Sequence, residues 1–131
     1  MSNRDALIEH AIVARNHAYA PYSRFFVGAA ILDEHGHIHT GCNVENASFP
    51  LGACAEANAI GAMIAAGGER ISGIAIVGGR DEPERCLPCG GCRQRIAEFA
   101  DEDTQIVIAA ADRIEYFTIA ELLPDSFSLE P

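Results

Sequence analysis

Two short stretches of this chain carry side chains suited to metal chemistry: Cys54-Ala55-Glu56 and Pro88-Cys89-Gly90-Gly91-Cys92. Cys89 and Cys92 are three residues apart, so on a helix their sulfurs lie one turn from each other and can face one ion. Cys54 adds a third thiolate from another part of the chain, and soft thiolate donors suit zinc. Three protein ligands leave one tetrahedral position open, the pattern of a catalytic site; a structural site closes with a fourth Cys or His. Glu56, two residues past Cys54, can reach a water in that position without binding the ion. Zinc lowers the pKa of such a water toward neutrality, and a carboxylate beside it can take the proton and return it elsewhere. The expected chemistry is hydrolysis. Cys-x-x-Cys alone would serve a structural zinc or a redox pair as readily, but Cys54-x-Glu56 and the lack of a fourth ligand weigh against both.

Composition narrows the substrate. The 131 residues hold 19 Asp and Glu against 9 Lys and Arg, a formal charge of −10. Nucleic-acid binders draw most of their affinity from cations against phosphates, so no polymer partner is expected and a small molecule is. No run is long enough to span a bilayer, and residues 1–5 lack the apolar core of a signal peptide, so no membrane partner and a cytoplasmic location are expected. Five cysteines, three crowded into Cys86–Cys92, suggest metal binding more than a disulfide framework. The length is that of a single domain, residues 1–131.

The elements that must position the two motifs follow from periodicity. Ser2 to about Ala18 carries apolar residues at helical spacing, with Ser2 and Asp5 as a variant capping box and Pro21 as the stop. Phe25–Leu32 reads as a strand covered on both faces, Asp33–Gly36 as a turn and His37–Val44 as its hairpin partner. Gly52–Ala66 is an Ala-rich helix stopped by Gly67-Gly68. Ile71–Val77 is a strand, Gly90–Ala100 a helix, and Gln105–Ala110 and Arg113–Thr118 two more strands. Thr118-x-x-Glu121 caps a last helical turn, Ile119–Leu123. Strands joined through helices predict an α/β fold: a single mixed five-stranded sheet with helices on both faces, an α/β/α sandwich.

Further stretches accompany the metal motifs: Tyr19-Ala20-Pro21-Tyr22-Ser23, Phe26-Val27-Gly28-Ala29-Ala30, Gly41-Cys42-Asn43-Val44-Glu45-Asn46-Ala47, Cys89-Gly90-Gly91-Cys92-Arg93-Gln94 and Glu121-Leu122-Leu123-Pro124. In this order and spacing the chain resembles the small three-cysteine cytidine deaminases over nearly its whole length. The resemblance implies deamination of free cytidine or deoxycytidine, with Cys54, Cys89 and Cys92 holding one zinc per subunit and Glu56 moving protons. It implies that Asn43 and Glu45 hydrogen-bond the ribose hydroxyls, as an amide and a carboxylate can. Phe25 would pack near the base, and Val44, Asn46, Ala47, Ser48 and Phe49 would wall the pocket. The Ala55 amide would hold the base carbonyl. It also implies a homotetramer with sites at subunit interfaces, Phe127 entering from a neighbour. A deaminase of another cytosine compound would not be expected to carry Asn43-Val44-Glu45-Asn46, which reads as a sugar clamp.

One departure stands out. Three-cysteine members commonly have arginine directly after the glutamate, offsetting thiolate charge; here that residue is Ala57. Zinc with three thiolates carries a net −1. Helix N-termini at Cys54 and Cys89 are expected to compensate in part by donating N–H groups to the sulfurs. Arg93, Arg24 or another arginine is expected to complete the balance. Cys42 reads as a small core residue and Cys86 as a loop thiol without a role. His35, His37 and His39 alternate on the hairpin and read as solvated side chains rather than a second metal site.

Overall fold

The apolar runs form the strands. In the computed structural model, which describes residues 2–131, β1 (Phe26–Asp33), β2 (Ile38–Cys42), β3 (Ile71–Gly79), β4 (Gln105–Ala109) and β5 (Ile114–Phe117) make one sheet. Its order is β2-β1-β3-β4-β5, with β3 and β4 parallel and the other neighbours antiparallel. The inner strands are covered on both sides, so they read as continuous apolar runs.

Alternate residues sort onto two faces. Ala29, Ile31, Ile74, Ile76, Ile106 and Ile108 pack beneath α2 (Ala55–Ala65), α3 (Gly90–Phe99) and the short α4 (Ile119–Leu122), joined by Ala59, Met63, Ile96 and Leu122. Ala30, Ala75, Val77, Val107 and Ala109 meet Leu7 and Ala11 of α1 (Asn3–Arg15) on the other face. The expected sandwich is thus present, with α1 alone on one side.

Close backbone approach fixes where the helices sit. A Cβ at Gly28 would lie 2.0 Å from the Ala11 carbonyl oxygen, so α1 rests directly on β1. A Cβ at Gly41 would lie 2.4 Å from the Ala59 nitrogen and 2.6 Å from the Ala55 oxygen, so the first turns of α2 rest directly on β2. Asn58 Nδ2 then donates to the Cys42 carbonyl at 2.8 Å, locking that turn to the strand end.

Several boundaries differ from the expectation. The first helix ends at Arg15, before Pro21, because the chain must turn for Tyr19 to pair with β2's extension: Tyr19 N–H donates to Asn43 and Glu45 N–H donates to Tyr19. The second helix begins at Ala55, three residues after Gly52. A 3-10 turn at Phe49–Leu51 and an antiparallel bridge between Val44 and Ala53 occupy the preceding chain. Thr118 and Glu121 form the expected capping box. Among the described residues no helix is long and apolar enough to cross a membrane.

Candidate active site

The site forms where β2 and β3 end and β1 begins. Phe26 pairs with Gly79 and Gly28 with Cys42, so three strand ends meet at one edge. The N-termini of α2 and α3 arrive on the same face of that edge, capped by Cys54 and Cys89. The Sγ atoms of Cys54, Cys89 and Cys92 lie within 4.8 Å of one another. Cys92 is buried, whereas Cys54 and Cys89 are exposed on the single chain. Three soft donors so gathered, with no fourth Cys, His, Asp or Glu in the group, fit one zinc ion with an open position.

A cavity of about 190 Å³ lies beside the sulfurs, lined by Val27, Asn43, Cys54, Ala55, Glu56, Cys86, Leu87 and Cys89. Glu56 is 5% exposed. Burial raises its carboxyl above the usual carboxylate range, opposed by its own backbone N–H and by the positive charge of Arg95. A carboxyl raised in that way accepts a proton more readily than an ordinary carboxylate and can return it afterwards. The Ala55 amide, in the first turn of α2, belongs to the donors that a helix leaves without a helical partner.

The expected compensation by helix N-termini holds at one cysteine. Backbone N–H groups of Cys92 and Gly91 lower the Cys89 thiol, with Cys92 N–H 3.5 Å from its sulfur. Cys54 receives no such bond. Its sulfur interacts with those of Cys92 and Cys89, and burial leaves the thiol raised. Burial likewise raises Cys92, helped by the nearby charges of Glu56, Cys54 and Cys89.

The two named arginines do not approach the sulfurs. Arg93 donates to the Pro88 and Leu122 carbonyls at 2.8 and 2.9 Å, tying α3 to α4. Arg24 stacks over Phe26, its Cζ 5.5 Å from the ring centroid. A third, Arg95, points its Nη1 at Cys92 Sγ, 3.8 Å away. Its spacing of three from Cys92 was the available signal, since such pairs share a helix face.

The expected substrate residues divide. Asn43 lines the cavity, but its Oδ1 accepts from Val27 N–H at 2.9 Å and its Nδ2 donates to the Phe25 carbonyl at 2.8 Å. Glu45 lies in a neighbouring hollow of about 360 Å³ with Tyr22, Ser23, Asn46, Phe49 and Gly52. Its carboxylate accepts from the Tyr22 and Ser23 amides and the Ser23 hydroxyl, which hold it below the usual range. Phe49 is 77% exposed beside Tyr22. Phe25, Val44, Ala47 and Ser48 line neither space. Phe127 is 68% exposed and bonds Gln94 through its backbone, outside both.

Two side chains have roles that the sequence reading missed. Cys86 lines the cavity beside the sulfurs; a Cβ on Gly78 would lie 2.6 Å from its sulfur, so the glycine is what admits it. His39 is not a solvated histidine, because its Nε2 lies 2.7 Å from Oδ2 of the buried Asp33.

Comparison with known proteins agrees with this geometry. Residues 1–109 match the family model described as the cytidine and deoxycytidylate deaminase zinc-binding region. A cytidine deaminase of Halalkalibacterium halodurans is 42% identical over 129 residues, covering 98% of this chain and 96% of that one. One of Mycobacterium tuberculosis is 42% identical over 113 residues, 86% and 80% of the two chains. Among solved structures, the cytidine deaminase of Burkholderia pseudomallei superposes with a TM-score of 0.85 at 40% identity, covering 97% of this chain and all of the other.

Proposed function

The chain belongs to the cytidine and deoxycytidylate deaminase family, and from that premise we propose that it hydrolyses free cytidine or deoxycytidine to the uracil nucleoside and ammonia. The observation that carries the reading is the gathering of three cysteine sulfurs beside a buried, unliganded carboxyl in one small cavity. Cys54, Cys89 and Cys92 hold the zinc. When bound there, it supplies the electrostatic pull that makes a water proton easy to remove.

Glu56 does the proton work. Its carboxylate accepts a proton from water as the water oxygen bonds to C4 of the cytosine, and it delivers that proton to N3. It then takes the remaining hydroxyl proton and gives it to the exocyclic amine. The C4–N bond breaks, ammonia leaves, the carbonyl of uracil forms, and N3 keeps its hydrogen. The Ala55 amide holds the base carbonyl oxygen, and the apolar walls at Val27 and Leu87 exclude bulk water, which strengthens each polar contact.

Asn43 and Glu45 act on the sugar from prearranged positions. Each is oriented by residues 22–27; Asn43 Oδ1 and Glu45 Oε2 each accept one hydrogen bond and keep a second lone pair for a hydroxyl, whereas Glu45 Oε1 is filled by the Tyr22 and Ser23 amides. Within the 44–49 segment, Asn46 and Phe49 line the hollow beside Glu45 and complete the wall there. That segment is open to solvent in one subunit: Tyr19, Tyr22, Val44, Phe49 and Leu51 are all exposed apolar residues around it. A homotetramer that covers them, with a neighbour's Phe127 entering the site, belongs to the same reading. So do a single catalytic domain spanning 1–131 and a cytoplasmic location, which suits five free thiols.

The test is Glu56→Gln. It is expected to retain one zinc per chain while cytidine turnover, followed by ultraviolet absorbance, falls by roughly 10²-fold or more. Near-normal turnover in the zinc-loaded variant would remove Glu56 from this role, and a monomer by sedimentation with full activity would remove the shared site.

A further inference from the structure

Negative charge accumulates at the three cysteines. Three thiolates around one divalent ion leave a net −1, and Glu56 adds another charge whenever it is ionised. The helix that carries Glu56 brings no cation, since the next residue is Ala57. Cys54 and Cys89 are exposed residues on the single chain, but Cys92 is buried and its sulfur needs a donor from the protein.

Arg95 is placed to be that donor. It follows Cys92 by three residues on α3, on the same helical face, and its Nη1 lies 3.8 Å from Cys92 Sγ. The guanidinium folds back across Gly91, where an added Cβ would stand only 3.2 Å from the same nitrogen. A side chain at 91 would crowd this path. The other two candidates are committed to carbonyls and to an aromatic ring.

We propose that Arg95 is a positioning residue of the zinc centre: it donates to the buried Cys92 sulfur and supplies the positive charge that position 57 lacks. This rests on the reading of the three cysteines as the zinc site. A charged N–H donor favours the thiolate over the thiol and fixes the direction in which the sulfur presents its remaining lone pairs. A charged donor held against the buried sulfur stabilises the metal-loaded, anionic cluster, so the centre binds zinc more tightly.

The experiment compares wild type with Arg95→Gln and Arg95→Lys. Zinc affinity is measured by competition with a chromophoric chelator at neutral pH, and each protein is also loaded with cobalt(II) to record its thiolate-to-metal charge-transfer band. Loss of an outer-shell partner typically weakens a metal site by roughly 10- to 100-fold. Because Arg95 is partly solvated, Arg95→Gln is expected at the lower end, about tenfold weaker. Its cobalt band should move to lower energy, as the sulfur loses its charged donor. Arg95→Lys, which keeps the charge, should recover most of the affinity. Wild type that binds one zinc, with Arg95→Gln equal to it in affinity and in cobalt spectrum, would overturn this inference alone. Wild type that binds no zinc would overturn the reading of the centre itself.

Discussion

Substituting Gly41 by alanine tests whether close contact between β2 and α2 aims the catalytic groups. The new Cβ would stand 2.4 Å from the Ala59 nitrogen and 2.6 Å from the Ala55 oxygen, about 1 Å inside the 3.4 Å at which ordinary contact begins. Both clashing atoms are backbone, so no rotamer change relieves them. The first two turns of α2 must move away from the sheet by most of that distance. Cys54 caps that helix and Glu56 lies in its first turn, so ligand and acid shift together relative to Cys89 and Cys92 on α3. Overpacking of this kind costs about 1–3 kcal/mol of stability. A displacement near 1 Å in a catalytic constellation costs on the order of 10²-fold in rate.

The assay is cytidine turnover by ultraviolet absorbance, with zinc content and a urea melt on the same preparation. Gly61→Ala is the control. It lies on α2, but an added Cβ there meets nothing within 4 Å, and the exchange should stabilise the helix by about 0.5–1 kcal/mol without changing turnover. If Gly41→Ala retained kcat/KM within about threefold of wild type and melted at the same urea concentration, helix placement through Gly41 would be refuted.

Asp33 should carry an acid-dependent part of the stability. Burial opposes its ionisation, but hydrogen bonds from His39 and the His37 and His35 amides outweigh this and lower the carboxyl from 3.8 to about 2. A depressed folded-state pKa stabilises above the unfolded value and loses that contribution as pH falls through the folded one. The urea-midpoint gap between wild type and Asp33→Asn should therefore narrow as pH drops from about 5 to about 2; a constant gap would contradict the assignment. Cys86 should resist alkylation. Burial, reinforced by Glu56 and Glu84, pushes its thiol up to about 12, whereas backbone donors lower Cys89. In zinc-free protein at neutral pH, peptide mapping should find Cys89 labelled well before Cys86; equal rates would place Cys86 in a different environment.

The sequence disclosed those features whose cause is local. Cys89 and Cys92 share a helix face by spacing alone, the capping box at Thr118 is four residues long, and unbroken apolar runs at β1, β3 and β4 report burial on both faces. What depends on register was hidden. Asn43 and Glu45 read as strand-end groups for the ribose hydroxyls, yet they bond residues 22–27, some twenty residues earlier, which meet them only once β1 pairs with β2. Asp33 read as a turn residue and His39 as a solvated one. The hairpin register that joins them cannot be seen in an alternating His pattern. Cys86 reads as a loop thiol without a role because its neighbour is a glycine of β3, Gly78, whose missing side chain is the space the thiol fills.

The arginines show the same division at finer grain. Arg93, adjacent to Cys92 in sequence, faces away by about 100° of helical rotation and serves α4 instead. Arg95, a further two residues on, returns to the sulfur because three residues complete most of a turn. Helical phase, more than adjacency in sequence, therefore decides which arginine reaches the sulfur. The same local logic explains how a chain of net charge −10 can hold an anionic metal centre. Exposed acids more than about 10 Å away are largely screened at physiological salt, so the groups that matter are those touching the sulfurs. Here these are the amides at the start of α3 and one guanidinium. A neutral nucleoside, unlike a phosphate-bearing polymer, meets no penalty in approaching such a site, so the acidic surface and the chemistry within it are compatible.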